Sequence, residues 1–404
     1  MNETFTTTGN LSIEAARAFF HLSEDTTYLS TCTRGLMPDP ARRALEMHLD
    51  GLQSGRTDKA ALFAAVEETR GAFARLVRCD VDEVAYTKNV SEGLNMIAAS
   101  LDWRPGDNVV VCLDMEHPNN VYPWLNLRER SGIEVRTVPD QDGHVAAQLL
   151  IDAVDDRTRL VTLPTVTFAP GFRADVASVG RLCRERGIFL LADAVQSVGI
   201  LDTDVEAMGV DGLAVSTQKG LCGLYGMGFL YCRREWAERL KPAYLARFGV
   251  DLGAGVHEAS MGTEGYKLMP GAQRFDLGNY NYPGVVVAEK TLDILNRVGT
   301  PAIEAHVTRL SQRLIDGILS LNLPVAGGAA GPHTGNIVCI GHVGAGGHDT
   351  ADDPEILSLS RKLSAGGVVH TIRRGMIRVA FHLYNDEADV DRVLELARGP
   401  TAAD

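Results

Sequence analysis

Short apolar segments alternate with helical patterns through the middle of the chain, and this alternation constrains the fold more than any other feature. The segments are rich in Val, Leu and Ile and are bounded by Gly, Pro or Asp, as is typical of buried strands. They are Asn108–Leu113, Ile133–Val138, Arg159–Thr165, Ile188–Ala192, Gly212–Ser216 and Met227–Cys232. The clearest intervening helix is predicted over Asp175–Arg186, with Gly187 as its end. Nearly continuous apolar strands that alternate with helices indicate an α/β fold with a mainly parallel sheet covered on both faces.

The pattern changes near Gly278–Pro283, beyond which a smaller unit is predicted. It consists of a long helical stretch, a strand, a loop rich in Gly and Asp, a helix, two strands and a last helix after Asp386. The first six of these cover Gly284–Asn322, Asn336–Ile340, His342–Asp353, Pro354–Ala365, Val368–Thr371 and Ile377–Phe381. We therefore divide the chain into an N-terminal arm over residues 1–27 that packs with the small domain, a large domain over residues 28–283 and a small α/β domain over residues 284–404.

Composition and charge exclude several classes of protein. The chain has 404 residues, of which 45% are hydrophobic, and this is enough to bury a large core. The net charge of -13 argues against a nucleic-acid partner, because Lys and Arg dominate binding to phosphate backbones, but it is compatible with a small anionic cofactor. No apolar run is long enough to cross a membrane, and Met1–Gly9 lacks an export signal. The seven cysteines are scattered without a CxxC pair, so we expect a cytoplasmic protein without a disulfide framework or metal site.

Two polar residues follow neighbouring predicted strands at the edge where open α/β sheets bind ligands. Asp193 comes directly after Ile188–Ala192, and Lys219 follows Gly212–Ser216. Alone, Asp193 could cap a helix, and a single lysine is usually a solvated surface residue. Together they match the needs of pyridoxal phosphate, which a lysine holds as a Schiff base while a carboxylate pairs with the pyridinium nitrogen. The lysine must be deprotonated to condense with the aldehyde, and a desolvated site promotes this.

Two further segments offer the other contacts that this cofactor requires. Ser91 lies in Asn89–Asn95, at the start of the apolar helical run Leu94–Leu101, and a helix N-terminus with hydroxyl donors suits a phosphate. A simple capped helix would show the same pattern. His117 follows the strand Asn108–Leu113 and offers a flat ring, although a histidine in a loop is more often structural.

In their order along the chain, these segments resemble the motifs of the class V aminotransferase superfamily of fold-type I pyridoxal-phosphate enzymes. The motifs are Ser91-Glu92-Gly93, Glu116-His117, Asp193-Ala194-Val195-Gln196 and Ser216-Thr217-Gln218-Lys219, and the similarity extends from about Tyr28 to Arg398. The superfamily includes cysteine desulfurases, kynureninases and isopenicillin-N epimerase-like proteins. The resemblance implies a large domain with a mainly parallel, seven-stranded type of sheet and a small α/β C-terminal domain.

The resemblance also implies roles for residues around the cofactor ring. Lys219 would form the Schiff base and move the Cα proton of an amino-acid substrate. Asp193 would pair with the pyridine nitrogen, and Gln196 would bond the phenolic oxygen. His117 would stack on the ring.

Further residues match the positions at which the family holds the phosphate and the substrate. Ser91, Ser216 and Gln218 lie where the phosphate binds, and Glu92 belongs to the same cofactor-binding motif. The segment Arg274–Asn279 resembles the part of the partner subunit that reaches the phosphate, so Asn279 would act in trans in a homodimer. Arg378 matches the arginine that clamps the substrate carboxylate, for which a bidentate guanidinium is well suited.

The chain departs from the cysteine desulfurases in ways that affect the expected reaction. Those enzymes carry a nucleophilic cysteine in a loop ahead of the carboxylate arginine, whereas the corresponding loop Thr371–Met376 has none, and Cys339 is predicted in a buried strand. They also have His immediately before the lysine, where this chain has Gln218. The stretch Arg373–Asn385 most resembles the isopenicillin-N epimerase-like subgroup. We therefore expect a carbon–sulfur lyase that eliminates the β-substituent of a cysteine-derived substrate, with natural-product tailoring as a possible role.

Several alternatives stay open at this point. On the same scaffold, the enzyme could be an aminotransferase, a decarboxylating deaminase or an amino-acid epimerase. The glycines at positions 220, 223, 226 and 228 suggest an NAD-dependent oxidoreductase, but they lead into a strand, whereas a dinucleotide fingerprint lies between a strand and a helix. A catalytically inactive binding protein is the third class. Visible absorbance from a bound cofactor would separate the first class from the other two.

Overall fold

Strands alternate with helices over most of the chain. The computed structural model describes residues 9–23, 25–253, 265–344 and 349–398. Its strands are β1 (Thr27–Tyr28), β2 (Val84–Thr87), β3 (Asn108–Val111), β4 (Glu134–Thr137), β5 (Thr158–Pro164), β6 (Phe189–Asp193), β7 (Gly212–Ser216), β8 (Gly228–Cys232), β9 (Val250–Asp251), β10 (Lys267–Leu268), β11 (Ile337–Ile340), β12 (Val368–Val369), β13 (Thr371–Arg373) and β14 (Met376–Ala380). Its α-helices are α1 (Ile13–Arg17), α2 (Asp39–Ser54), α3 (Lys59–Val77), α4 (Val90–Ser100), α5 (Tyr122–Ser131), α6 (Ala147–Asp152), α7 (Val176–Arg186), α8 (Val205–Met208), α9 (Arg234–Arg239), α10 (Tyr282–Val298), α11 (Thr300–Ser320), α12 (Pro354–Ala365) and α13 (Glu387–Arg398).

A seven-stranded sheet forms the centre of the fold, in the order β2-β8-β7-β6-β5-β3-β4. The five strands from β7 to β4 run parallel, and β8 is antiparallel to both β7 and β2. The sheet is therefore mixed and mainly parallel, which confirms the predicted fold class. The edge strand β2 was not predicted, because its four residues form no long apolar run and follow a charged segment.

Both faces of the sheet are covered, which explains why its central strands are mainly apolar. Phe189 and Leu191 of β6 pack in one core cluster with residues of α4, α5 and α9. Leu190 and Ala192 point to the other face, where they share a second cluster with Val179 of α7. Successive side chains of a strand alternate between the two faces of the sheet. A strand that is buried on both faces is therefore apolar throughout, without the alternation of apolar and polar residues seen when one face is exposed.

Two local predictions are refined by the structure. The predicted helical stretch over Gly284–Asn322 consists of two helices, α10 and α11, which are separated at Gly299, where φ is +84°. The predicted loop Thr371–Met376 instead contains strand β13 and the two-residue turn that joins it to β14, and these two strands pair antiparallel as a β-hairpin. Its central residues Arg374 and Gly375 have φ values of +51° and +79°, as in the tight turns that join antiparallel strands.

The C-terminal elements form a second, smaller sheet to which the start of the chain contributes. Strands β11, β14 and β13 form an antiparallel sheet in that order. Beside it β1 pairs parallel with β12, so the N-terminal segment joins the C-terminal part of the fold. The predicted boundary between residues 283 and 284 falls in the first turn of α10, which packs against α2 and α3. The division into three units stays a prediction. Residues 1–8, 345–348 and 399–404, parts of the predicted arm, glycine-rich loop and small domain, lie outside the described residues.

Three further properties of the described residues bear on function. All seven cysteines lie within them and carry free thiols. Among the described helices, none is both long enough and apolar enough to cross a lipid bilayer. Within the same ranges, no group of three or more His, Cys, Asp or Glu side chains is arranged to hold a metal ion.

Candidate active site

A cavity of about 320 Å³ opens at the carboxyl ends of β3, β5, β6 and β7. Because β5, β6 and β7 are parallel neighbours, their last residues meet at one edge of the sheet, as the ligand site of an open α/β sheet requires. The cavity wall includes seven of the residues that the sequence predicts to bind the cofactor: Ser91, His117, Asp193, Gln196, Ser216, Gln218 and Lys219.

Asp193 and Lys219 come together because β6 and β7 pair in parallel, with Asp193 opposite Ala214. The Asp193 side chain is 4% exposed and its Oδ1 accepts the Val195 N–H at 3.1 Å. Burial raises the pKa of Asp193 above its usual value. Desolvation lowers the pKa of Lys219 to about 8, although the negative charge of Asp193 opposes this shift. An amine with such a pKa is far more readily deprotonated at neutral pH than a surface lysine, as condensation with an aldehyde requires.

The N-terminus of α4 and the end of β7 form one wall of the cavity. The Val90 N–H donates to Ser216 Oγ at 2.7 Å, which places this hydroxyl beside the first turn of the helix. Gly93 allows the close approach, because a Cβ at this position would lie 3.0 Å from the Cβ of Ala214. Two serine hydroxyls, those of Ser91 and Ser216, thus line the cavity at a helix N-terminus, an arrangement that suits a phosphate.

Glu92, unlike its neighbour Ser91, is not brought into the cavity wall. Its Oε2 accepts the Lys88 N–H at 2.5 Å, while the Glu92 N–H donates to Oδ1 of the N-cap residue Asn89 at 2.9 Å. The Ser-Glu-Gly motif therefore contains a helix-capping residue, as in a capping box. Gln218 does line the cavity, and its carbonyl oxygen accepts the Gly35 N–H at 2.8 Å.

His117 and Gln196 line the cavity with their orientation fixed by backbone contacts. His117 Nδ1 accepts the Asn119 N–H at 3.2 Å, so Nε2 carries the proton of the neutral ring. Desolvation and then the positive charges of Lys219 and Arg378 lower the pKa of His117 to about 4, which keeps the ring neutral. Gln196 Nε2 donates to the carbonyl oxygen of Cys32 at 3.2 Å. A neutral, flat ring at this place can stack on an aromatic cofactor.

Arg378 lies on β14, outside the cavity wall but next to it. Its side chain is buried, with Nε donating to Thr371 Oγ1 at 3.2 Å and Nη1 donating to the Phe168 carbonyl oxygen at 2.5 Å. Phe168 itself lines the cavity. Within the described residues, no carboxylate lies within ion-pair distance of this guanidinium, although its positive charge acts on both His117 and Lys219.

Asn279 does not reach the cavity of its own chain. It is exposed, with φ of +47°, and lies three residues after Asp276. Asp276 and Arg70 form a buried ion pair of 2.8 Å, and Asp276 Oδ1 also accepts the Tyr86 N–H, so the segment is held firmly against edge strand β2. The role of Asn279 in a second subunit therefore stays a prediction.

Three of the cavity residues that were not predicted carry a carboxyl or an aromatic ring, and the sequence shows no pattern for them. Glu116 stands in the Glu-His motif at a strand end, yet nothing in the sequence says that its carboxyl is buried toward the cavity. Phe168 and Tyr225 lie in loops, where an aromatic side chain carries no periodic signal. Phe168 meets His117 edge-to-face at a centroid distance of 5.5 Å.

Comparison with known proteins connects this geometry to a family. The family model for class-V aminotransferases matches residues 50–393. A probable cysteine desulfurase of Methanothermobacter thermautotrophicus is 35% identical over 317 residues, which cover 76% of this chain and 77% of that protein. The apo cysteine desulfurase of Thermococcus onnurineus NA1 superposes with a TM-score of 0.82 at 22% identity, over 96% of this chain and 98% of that one. The cystine C–S lyase C-DES, solved with its product cysteine persulfide, superposes with a TM-score of 0.80 at 24% identity, over 93% of this chain and 98% of that one. These two structures share the fold.

The side chains that line the cavity suit pyridoxal phosphate, the cofactor of this family. It combines a lysine of lowered pKa, a buried carboxyl, a neutral ring and hydroxyls at a helix N-terminus. Each of these groups answers one need of pyridoxal phosphate. The chain belongs to the class-V aminotransferase family and is a pyridoxal-phosphate-dependent enzyme.

Proposed function

We propose that the enzyme is a carbon–sulfur lyase that acts by β-elimination on a cysteine-derived amino acid. The observation that carries the proposal is the hairpin Thr371–Met376, a tight turn without a thiol that leads into the strand of Arg378. A desulfurase needs a thiol nucleophile over the substrate sulfur, and this hairpin supplies none. The names of similar proteins agree with sulfur chemistry, since a sequence relative is a probable cysteine desulfurase and a structural neighbour is a cystine C–S lyase.

In the proposed reaction, the residues of the cavity bind the substrate and move one proton. When bound, pyridoxal phosphate supplies an electron sink for the charge released at Cα. Lys219 would hold the cofactor and take the Cα proton, and Asp193 would keep the pyridine nitrogen protonated. The Cβ–S bond then breaks, the sulfur leaves as a thiolate or persulfide, and the released enamine hydrolyses to pyruvate and ammonia. Gln196 and His117 would orient the ring through its phenolic oxygen and its face.

Arg378 is the proposed site for the substrate carboxylate. It is a buried cation that donates to two neutral oxygens and, among the described residues, has no carboxylate partner. A buried charge is costly unless it is paired, so an α-carboxylate that entered the cavity would supply the missing partner. Its forked geometry suits bidentate binding of that group.

The remaining proposed contacts hold the phosphate. Ser91, Ser216 and Gln218 would bind it from one chain, and Asn279 of a second copy would complete the site in a homodimer. The exposed position of Asn279, on a segment anchored by a buried ion pair, agrees with this role. A cytoplasmic location, supported by seven free thiols, and a role in natural-product tailoring stay predictions.

A desulfurase that uses a different cysteine is the second candidate. Burial raises the pKa of Cys339 to about 12, and this thiol lies in β11, so it is a poor nucleophile. Cys32 is different, because its thiol is close enough to Lys219 to influence the pKa of that amine. The Cys32 carbonyl oxygen also accepts from Gln196 in the cavity wall. Transamination, decarboxylating deamination and epimerisation are further outcomes of the same test.

Product analysis by mass spectrometry decides between these reactions. We expect a cysteine S-conjugate to yield pyruvate and ammonia, with unchanged turnover in Cys32→Ser and in the control Cys339→Ser. Lys219→Ala should lose both turnover and the lysine label left by borohydride reduction. Alanine as the product from free cysteine, together with loss of turnover in Cys32→Ser but not in Cys339→Ser, would establish the desulfurase instead. A keto acid formed with stoichiometric amino-group transfer would indicate an aminotransferase.

A further inference from the structure

Glu116 is a buried carboxyl in the cavity wall that none of the proposed roles uses. It follows the short 3-10 turn Leu113–Met115, and 4% of its surface is exposed. Neither of its carboxyl oxygens has a hydrogen-bond partner among the described residues. Buried carboxylates are normally paired or hydrogen-bonded, because an isolated charge in such a place is costly. The groups around Glu116 therefore determine whether its carboxyl is ionised or protonated.

The groups around Glu116 give it a negative neighbour and no cation with a resolved effect on it. Burial, and then the negative charge of Asp193, raises the pKa of Glu116 well above its usual value, and the Asn120 side chain opposes this shift. The Asn120 amide also donates one N–H to Thr162 Oγ1 at 2.9 Å and accepts from Trp124 Nε1 at 3.1 Å. Lys219 and Arg378, the cations beside the cavity, act on His117, and within the described residues neither has a resolved effect on Glu116.

Asp193 is better placed than Glu116 to carry a negative charge. The Val195 N–H donates to one of its oxygens at 3.1 Å, and the positive charge of Lys219 lowers its pKa, partly offsetting the effect of burial. Two carboxyls that share a buried site do not ionise together, because like charges repel strongly where water is excluded. Asp193 thus takes the charge, and Glu116 retains the proton.

We propose that Glu116 is a positioning residue, a neutral carboxylic acid that leaves Asp193 as the one carboxylate of the inner cavity wall. The inference rests on the role proposed for Asp193 at the ring nitrogen, since it states which of two neighbouring carboxyls can take that role. Glu116 itself transfers no proton to the substrate; it acts through Asp193. The amide of Glu116→Gln has the same shape but cannot ionise, so this substitution imitates the neutral acid.

The proton on Glu116 can be measured in the full chain without cofactor. An acid whose pKa is raised by folding destabilises the folded state as pH rises, because the unfolded chain releases the proton from about pH 4.3 upward and the folded chain does not. Relative to Glu116→Gln, the folded-to-unfolded ratio of the wild type should fall about tenfold per pH unit above that value. Infrared difference spectra should show a protonated carboxyl band in the wild type that the variant lacks. A ratio independent of pH, or one that rises, would overturn the proposal.

The link to Asp193 is tested by repeating this comparison in an Asp193→Asn background. Removal of the negative neighbour should let Glu116 ionise at lower pH. The folded-to-unfolded ratio should therefore stop falling at a lower pH than in the chain that keeps Asp193. A merely structural glutamate would give the same range in both backgrounds. This arm needs no cofactor, so it remains decisive if the proposed function fails.

The choice between the two carboxyls is tested in the enzyme with ¹⁵N-labelled cofactor. We expect the ring-nitrogen resonance of Glu116→Gln to match that of the wild type, and that of Asp193→Asn to move to the deprotonated position. If the ring-nitrogen resonance of Glu116→Gln shifts as that of Asp193→Asn does, Glu116 is an ionised partner of the ring and the proposal is wrong.

Discussion

Arg378 shows how a single side chain can define what the cavity accepts. Its guanidinium is buried against Thr371 and Phe168, and both acceptors are neutral oxygens. Arg378→Lys should raise the dissociation constant of an amino acid about tenfold or more, because a charge-assisted hydrogen bond of about 1.5–3 kcal/mol is lost when the fork becomes a point charge. The decarboxylated amine should bind both proteins equally, and spectral titration with the two ligands measures this. Equal losses for both ligands, or no loss, would exclude Arg378 as the carboxylate clamp.

For single residues, the positions of the chemically reactive side chains were easier to predict from the sequence than the surroundings that bury them. Asp193 and Lys219 are recognisable because each follows a strand, and parallel pairing then brings them to one edge. The protonation state of Glu116 depends on what packs around it: burial and Asp193 raise its pKa, and the Asn120 side chain opposes this shift. The cofactor-binding role of Glu92 stays a prediction; its side chain accepts from the Lys88 N–H and does not line the cavity.

Among the elements, the segment before α10 depends on one buried ion pair with edge strand β2. Arg70 and Asp276 are 1% and 2% exposed, and Asp276 also accepts from the Tyr86 backbone and the Tyr280 hydroxyl. Asp276→Asn would remove the buried carboxylate partner of Arg70 and leave it only the 56% exposed Glu67, 3.2 Å away, so we expect a loss of up to about 3–5 kcal/mol in unfolding free energy. Denaturant unfolding measures it.

The matched control is Asp391→Asn, which breaks an exposed ion pair with Arg313. Surface pairs of this kind contribute about 0–1 kcal/mol, so this variant should unfold close to the wild type. Similar losses in both variants would show that burial gives the Arg70–Asp276 pair no special importance.

The elements also show where sequence patterns mislead. Apolar periodicity continues across α10 and α11, and a single glycine at position 299 separates them. The sequence predicted a loop at the hairpin around Arg374 and Gly375, because strand β13 is too short to form a recognisable apolar run. The turn depends on left-handed backbone at both residues, and an apolar pattern does not reveal this. Strand β7 and helix α12 were located well, since both are bounded by clear start and stop signals.

For the whole molecule, the prediction concerns assembly. If Asn279 completes the cavity of a second copy, the enzyme is a homodimer with active sites built across a two-fold interface, and sedimentation should show a dimer. Lys219→Ala and Asn279→Ala should each lack activity, yet a re-assorted mixture should recover about a quarter of it, because heterodimers combine one intact Lys219 with one intact Asn279. Mixing either variant with itself is the control. A mixture that stays inactive while heterodimers form would remove Asn279 from the site.

The arrangement of whole units was the hardest level to predict. The order of the central strands and the antiparallel placement of β8 depend on contacts between distant segments, and no local pattern encodes them. The alternation of apolar segments and helices predicted the mainly parallel sheet and the smaller C-terminal unit, and the resemblance to a family implied the same. It did not supply the packing of α10 against α2 and α3.

The pairing of β1 with β12 has a consequence for the order in which the fold can form during synthesis. Thr27 pairs with Val368, so β1 leaves the ribosome long before its partner strand is made. At ordinary rates of synthesis that delay is roughly 20–70 seconds, far longer than the time in which the central sheet can collapse. Over that period the Gly35 backbone can already donate to the Gln218 carbonyl beside the cavity. The cavity wall built by the central strands can therefore form before β1 and β12 have paired.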